Sequence, residues 1–461
     1  MNKSLITEPL GLFGWSHLEP IILAALASEA PMLLIGKHGS AKSFILERLA
    51  EALKLEFRCY NASLINYDDL VGIPIPINNN TSLSYISNQS SIWDCQVVFI
   101  DELNRTKPEL QNKLFPIIYD KKVQGIKLSK LKYRWAALNP PSSEDEEEDY
   151  LGAMPLDMAL ADRFTYIIEV PTWDDLSEND KRKMINDNHL GKHEFIIDIN
   201  ELINKVKEEY QNLVNSKKDD ITNYIITLMQ LLKNSFGYFS SRRATILEDS
   251  FLYILASYKV LGISEDDYFQ NAAYLHIQNT IPNIVNNKID KNLLINICAQ
   301  ALKLSKLGES IEKKILLIDD PVNRLKSVIK NKSELNCEVI NDVITSSLSS
   351  FNDEKERRAM ALFVYLSFRT NRNIYASVLE TIANEIRPIL KTYKHNSFEY
   401  LPTKKIADSI VAQLNEINDN KKYKKYLNNY LYSFFPEEYG NSDEVKKACD
   451  FFVNTWEELD L

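Results

Sequence analysis

A chain of 461 residues is longer than a single hydrophobic core usually grows, so two or three domains are expected. Hydrophobic residues make up 45% and charged residues 26%, which excludes a disordered chain, and the net charge of -10 argues against a protein that coats nucleic acid, whose footprint is normally basic. Cys59, Cys95, Cys298, Cys337 and Cys449 form no CxxC pair and read as reduced thiols, and no stretch approaches the roughly 20 apolar residues that span a bilayer, so a cytoplasmic protein without membrane insertion is expected.

Residues 1–172 alternate short apolar runs with helical patterns: PMLLIG, FILERLAEAL, CQVVFIDE, PELQNKLFPIIYD, YRWAALN and TYIIEVP. Strand alternating with helix predicts an α/β domain built on a parallel sheet covered on both faces. From Trp173 the apolar spacing turns helical, as in Ile203, Val206, Tyr210, Leu213 and then Ile221, Tyr224, Leu228, Leu232, and predicts a small helical domain over 173–262. Residues 263–461 also read as helices, with Ile374, Val378, Ile382 and Ile386 on one stripe.

The first apolar run feeds Gly36-Lys37-His38-Gly39-Ser40-Ala41-Lys42-Ser43 and then an amphipathic helix. Glycines allow a tight turn that faces backbone N–H groups toward a phosphate, and the helix N-terminus adds the positive end of its dipole. Lys42 is placed to reach the β- and γ-phosphates and the Ser43 hydroxyl to ligate magnesium. The usual pattern has Gly before the lysine, where this chain has Ala41. A second apolar run, Val97 to Ile100, ends in Asp101-Glu102. Adjacent carboxylates at the end of a buried strand face a cation or a water; Asp101 suits the magnesium shell and Glu102 the general base for an attacking water. A third strand ends in Asn139-Pro140, where a neutral amide can orient a water or simply make a turn.

GKHGSAKS, VVFIDELNR, AALNP and LADRF, in that order and spacing, resemble the MoxR-like AAA+ ATPases, which often carry Ala before the lysine; NYDDLVGIPIP also resembles the dynein-related AAA+ modules. The resemblance covers roughly 10–262 and implies a P-loop AAA+ parallel-sheet core (1–172), a helical lid (173–262) and an additional all-helical C-terminal region (263–461) for a partner or client. It further implies ATP with magnesium, and a homo-oligomeric ring, commonly a hexamer, in which Arg163 of LADRF reaches a neighbour's γ-phosphate. Arg243 in Ser240-Ser241-Arg242-Arg243 aligns best with the lid arginine that contacts γ-phosphate, with Arg242 as the alternative register. Arg105 is expected either in a nucleotide-sensing or inter-subunit contact or in a local salt bridge. Residues 74–92 and 121–132 match the two loop insertions of this branch, the second as a lysine-rich hairpin around Gly125.

The function implied is a ring-forming ATPase that remodels or activates protein partners, with von Willebrand factor A domain proteins as frequent partners in the family. The alternatives are a nucleic-acid motor or NTP-driven subunit of a restriction or defence complex, or a nucleotide-gated scaffold that scarcely hydrolyses. The acidic run 144–149 and the Lys/Tyr stretch 421–426 read as a solvated loop and as a packed aromatic stripe flanked by lysines. His17, His38, His189, His193, His276 and His395 form no metal-spaced set.

Overall fold

The computed structural model describes residues 4–77, 82–86, 91–140, 155–186, 198–263, 268–308, 310–369, 374–390, 401–418, 421–435 and 439–461. The acidic run 144–149, His189, His193 and His395 lie outside them, as does part of the 74–92 insertion. The chain divides into two compact units, Met1–Lys306 and Leu307–Leu461.

The first unit begins with α1 (Glu19–Ser28), whose buried Glu19 carboxylate accepts hydrogen bonds from the backbone N–H groups of Leu5, Ile6 and Thr7. Then follow β1 (Met32–Ile35), α2 (Lys42–Ala52), β2 (Phe57–Asn61) and α3 (Tyr67–Val71), with β3 (Ile73–Ile77) and β4 (Ser82–Ile86) forming an antiparallel ribbon. Next come β5 (Val97–Asp101), α4 (Pro108–Phe115), a single π turn over Pro116–Asp120, and the short strands β6 (Lys122–Val123) and β7 (Ile126–Lys127). The β6–β7 turn has positive φ at both Gln124 and Gly125, as a two-residue hairpin that follows the strand twist requires. β8 (Tyr133–Leu138), α5 (Met158–Ala161) and β9 (Tyr166–Glu169) complete the α/β part.

Five strands form one parallel sheet in the order β2-β5-β8-β1-β9. All residues of β1 and β8 are buried, the continuous apolar pattern of strands covered on both faces. Because the strands are parallel, the loops after Ile35, Asp101 and Leu138 leave from one edge of the sheet. In open α/β sheets, ligands bind at that edge.

Helices α6 (Glu178–Asn186), α7 (Ile199–Phe236), α8 (Ser241–Val260), α9 (Tyr268–Gln278) and α10 (Lys291–Ser305) follow. The helical boundary expected at 262 is displaced: α9 packs on α8 and α10, and α10 on α7, so the first compact unit runs to Lys306. Periodicity marks each helix but not its neighbour, and only the packing assigns α9 and α10 to the first unit.

The second unit is helical throughout its described residues: α11 (Ile311–Leu316), α12 (Pro321–Lys330), α13 (Cys337–Ser349), α14 (Glu354–Phe368), α15 (Ala376–Ile386), α16 (Leu401–Asn415), α17 (Lys424–Tyr432) and α18 (Ser442–Leu459). Its core surrounds α14, where Ala359 through Val364 are buried on every side. Tyr423, Tyr430 and Phe434 are buried, with Tyr430 ringed by Phe434 and Phe452, so the Lys/Tyr stretch is a packed stripe. Ile374, Val378, Ile382 and Ile386 are likewise buried together.

Candidate nucleotide site

The loop between β1 and α2 is shaped by its small residues. A Cβ on Gly36 would lie 2.2 Å from Val170 Cγ2, so only glycine lets the loop approach β9. Gly39 has φ +78°, and Ala41 has φ 60°, the left-handed region that glycine adopts freely. The alanine therefore takes the backbone conformation in which glycine would be relaxed. No side chain caps the N-terminus of α2 and no acid lies in its first turn, which leaves the helix N–H groups directed at the loop's concave side.

That concavity is a cavity of about 300 Å³ lined by His38, Gly39, Ser40, Ala41, Lys42, Ser43 and Phe44, with Asp101, Glu102 and Asn139 opposite. Three chain segments thus converge as the sheet order dictates. Lys42 is buried and its Nζ donates to the carbonyls of Gly36 (2.7 Å) and Lys37 (3.0 Å) and to Asn139 Oδ1 (3.1 Å). Burial pushes its ammonium below the ordinary lysine value, opposed by the charges of Asp101 and Glu102. Ser43 Oγ donates to Asp101 Oδ2 at 2.9 Å, bringing together two hard oxygen donors of the kind magnesium takes alongside phosphate and water.

Glu102 is also left-handed, at φ 54°, and its backbone N–H donates to Asp101 Oδ1 at 2.9 Å. Its carboxylate accepts from Asn61 Nδ2 at 3.3 Å and Ser63 Oγ at 3.4 Å, and Arg105 lies 3.6 Å away. Arg105 therefore makes the local salt bridge. Asn61 and Ser63 escaped the sequence reading because they reach Glu102 only through the β2–β5 register, in which Asn61 stands opposite Asp101. The buried Asn104 was also missed; its Nδ2 donates to the Asn139 carbonyl at 3.1 Å and fixes that loop.

Gly36 and Lys37 line the far side of the loop, a second cavity of about 880 Å³ that includes His17, Thr172, Asp175 and Lys291. Burial lowers the His17 pKa, so its ring stays uncharged more readily there.

Neither of the two expected arginines lines the phosphate cavity. Arg163 donates to the Ala159 carbonyl and lies over the Phe115 ring, 4.2 Å from its centroid. Arg243 is wholly buried, at 0% exposure, and all five of its N–H groups are engaged. Nε donates to Asp162 Oδ1 (3.0 Å), one terminal nitrogen to the carbonyls of Phe164 and Thr280 (both 3.1 Å), and the other to the carbonyls of Asp162 (2.8 Å) and Phe164 (3.1 Å). Arg243 is thus a clasp between α8 and the α5–β9 turn, and reaching a γ-phosphate would break these bonds. Its placement was readable: Arg243, Leu247, Ser250 and Ile254 share the buried face of α8, whereas the neighbouring Arg242 points outward, 3.8 Å from Asp162 Oδ2 and over the Tyr119 ring.

Two of the hairpin-region lysines pair locally, Lys121 with Glu29 and Lys130 with Asp94. Among the described residues no group of three His, Cys, Asp or Glu side chains could hold a metal by itself, and no helix is long and apolar enough to cross a membrane.

Residues 31–138 match the family model of the AAA domain (dynein-related subfamily). The match spans the phosphate loop and the acidic pair and stops one residue short of Asn139. No curated protein matches the chain. Among solved structures, a crystal structure of a protein from Cytophaga hutchinsonii ATCC 33406 described as an ATPase is similar over 64% of this chain and 92% of that one, with 20% identity and a TM-score of 0.46. The phosphate loop and the paired acids at the tip of β5 both lie within residues 31–138, the part of the chain that matches the AAA domain of the dynein-related subfamily.

Proposed function

We propose that the protein is a MoxR-like, ring-forming ATPase that couples ATP hydrolysis to the remodelling or activation of a protein partner. The observation that carries this reading is the division of charge. The cavity holds a lysine, two acids and an amide, and no arginine among the described residues lines it, while Arg163 stands on another surface with most of its donors unused by the described residues. An arginine beside the γ-phosphate stabilises the charge of phosphoryl transfer, and in this reading a second copy of the chain supplies it. Hydrolysis is then tied to assembly.

Within the site, Lys42 exchanges the Gly36 and Lys37 carbonyls for the β- and γ-phosphate oxygens when nucleotide enters. The uncapped N-terminus of α2 supplies further N–H donors. Magnesium, held by Ser43 and Asp101, would neutralise phosphate charge. Glu102 takes the proton of the attacking water and Asn139, freed from Lys42, orients that water. The base and ribose fit the second cavity, beyond Gly36 and Lys37, which α/β and lid residues line together. The Leu307–Leu461 unit serves as the region that recruits the client or adaptor, for which a von Willebrand factor A domain protein is the class implied by the family resemblance.

The test is steady-state ATP hydrolysis across protein concentration for the wild type, Glu102→Gln and Arg163→Ala, with mass measured with and without nucleotide. Turnover per chain that rises as a ring assembles, and is lost in both variants, supports the reading. Nucleotide binding with negligible turnover at every concentration replaces it with a nucleotide-gated scaffold.

A further inference from the structure

The surface that carries Arg163 is more elaborate than a lone arginine requires. Phe115 ends α4, and Tyr119 lies one turn on, within the π turn. Arg163 lies over the first ring at 4.2 Å and Arg242 over the second at 5.0 Å. Such single π turns are found frequently at functional sites. This one is rigidly held. Ile117 and Ile118 are buried, and the Ile118 carbonyl accepts from Nε of the buried Arg134 at 2.9 Å.

The manner of holding is informative. No carboxylate of the described residues lies within 4 Å of the Arg163 guanidinium, and only the Ala159 carbonyl takes a hydrogen bond from it. Burial and then the like charge of Arg242 disfavour its positive charge, against the opposing charges of the more distant Asp162, Asp120 and Asp157. A salt bridge would consume the donor edge of a guanidinium, whereas an aromatic ring binds its flat face and leaves that edge available. Arg163, held on an aromatic face with donors to spare, suits an incoming anion carrying several oxygens; Arg242 beside it lies over Tyr119 and 3.8 Å from Asp162 Oδ2.

We propose that Phe115 is a positioning residue for Arg163: its ring holds the guanidinium by the face so that the N–H edge meets the phosphates of a nucleotide bound by a second copy of this chain. The inference rests on the trans-arginine reading above. It assigns no chemistry to Phe115 itself.

The experiment mixes subunits. Arg163→Ala keeps an intact pocket but supplies no arginine, and Glu102→Gln binds nucleotide without hydrolysing it but supplies Arg163. Mixed, they regain activity if the arginine acts in trans; no regain sinks the trans reading itself, whatever Phe115 does. Phe115→Leu or Phe115→Tyr is then added to the Glu102→Gln partner, and native mass spectrometry counts both subunit types in the rings. The expected result is that the leucine partner restores about a tenth or less of the activity that the unmodified partner restores, while the tyrosine partner restores most of it. Full restoration by the leucine partner overturns the proposal while leaving the trans reading intact. Exclusion of the leucine partner from rings also overturns it, because Phe115 is then an assembly contact.

Discussion

Two of the buried cations in the first unit, Lys42 and Arg243, differ in a way that separates binding from holding. Lys42 and Arg243 are both withdrawn from water, and burial lowers the pKa of each. Lys42 is satisfied by carbonyls of its own loop and one amide, partners that a phosphate can replace at no change in fold. Arg243 is satisfied by a carboxylate and by backbone carbonyls from two other segments, so its partners are the fold. A buried charge whose partners are local and exchangeable marks a ligand site, whereas one whose partners join distant segments marks a clasp.

The contrast is broken most directly at Arg243. Arg243→Ala leaves Asp162 half-buried without its main partner and four backbone acceptor contacts unmade. Removing one member of such a buried pair costs about 3–5 kcal/mol. Urea unfolding should register that loss, whereas Arg242→Ala, on the exposed side of the helix, should cost less than about 1 kcal/mol. A fully stable Arg243→Ala protein with impaired hydrolysis would reverse the assignment and restore Arg243 as a phosphate contact.

At the pocket the expected signature is the opposite: activity without stability. Glu102→Gln should retain nucleotide affinity and urea stability while turnover falls by about 100-fold or more, the range for loss of a general base. An equal fall in affinity would mean that the carboxylate organises the loop instead.

A pH dependence sharpens the comparison on the clasp side. His276 is wholly buried, donates or accepts at Ser250 Oγ (3.0 Å), and packs against Phe251. Burial first, and then the charge of Arg243, push its pKa down to about 3. Below its unfolded value of about 6.5 the unfolded chain binds a proton that the folded chain refuses, so stability falls as pH falls through that window. The slope approaches about 1.4 kcal/mol per pH unit, or about 2 kcal/mol lost by pH 5. His276→Gln, which keeps a polar partner for Ser250 and does not titrate, should flatten that part of the profile; an unchanged slope would place the titrating group elsewhere.

The same distinction explains what the sequence made legible. The phosphate loop, Asp101, Glu102 and Asn139 each sit at the end of an apolar run, and a parallel sheet carries such ends to one edge, so local pattern and topology together predict the pocket. The change from strands alternating with helices to helices alone was equally plain. Asn61, Ser63 and Asn104 were silent, because their contacts depend on strand register and loop closure rather than on neighbours in sequence. The packing of α9 and α10 into the first unit was silent for a related reason: an amphipathic stripe shows that a helix packs, not on what. Arg243 lay between these cases, legible once the apolar stripe of α8 is continued back to the first turn, but obscured by Arg242 beside it.

The smallest expected effect concerns backbone strain in the pocket. Ala41 and Glu102 both line the cavity with positive φ, although neither is glycine. Holding an alanine in the left-handed region costs about 1–2 kcal/mol. Ala41→Gly removes that cost but gives the unfolded chain more freedom, worth about 0.4–1 kcal/mol in the opposite direction. The variant should therefore be more stable than the wild type by roughly 0.5–1 kcal/mol in the absence of nucleotide. If the strained loop is already set in its binding conformation, nucleotide affinity should stay the same or fall slightly, since a glycine must be ordered when the phosphate arrives. A gain in affinity matching the gain in stability would show instead that the alanine holds the loop away from its binding shape, and that Lys42, bonded to the loop's own carbonyls, is released only when that strain relaxes.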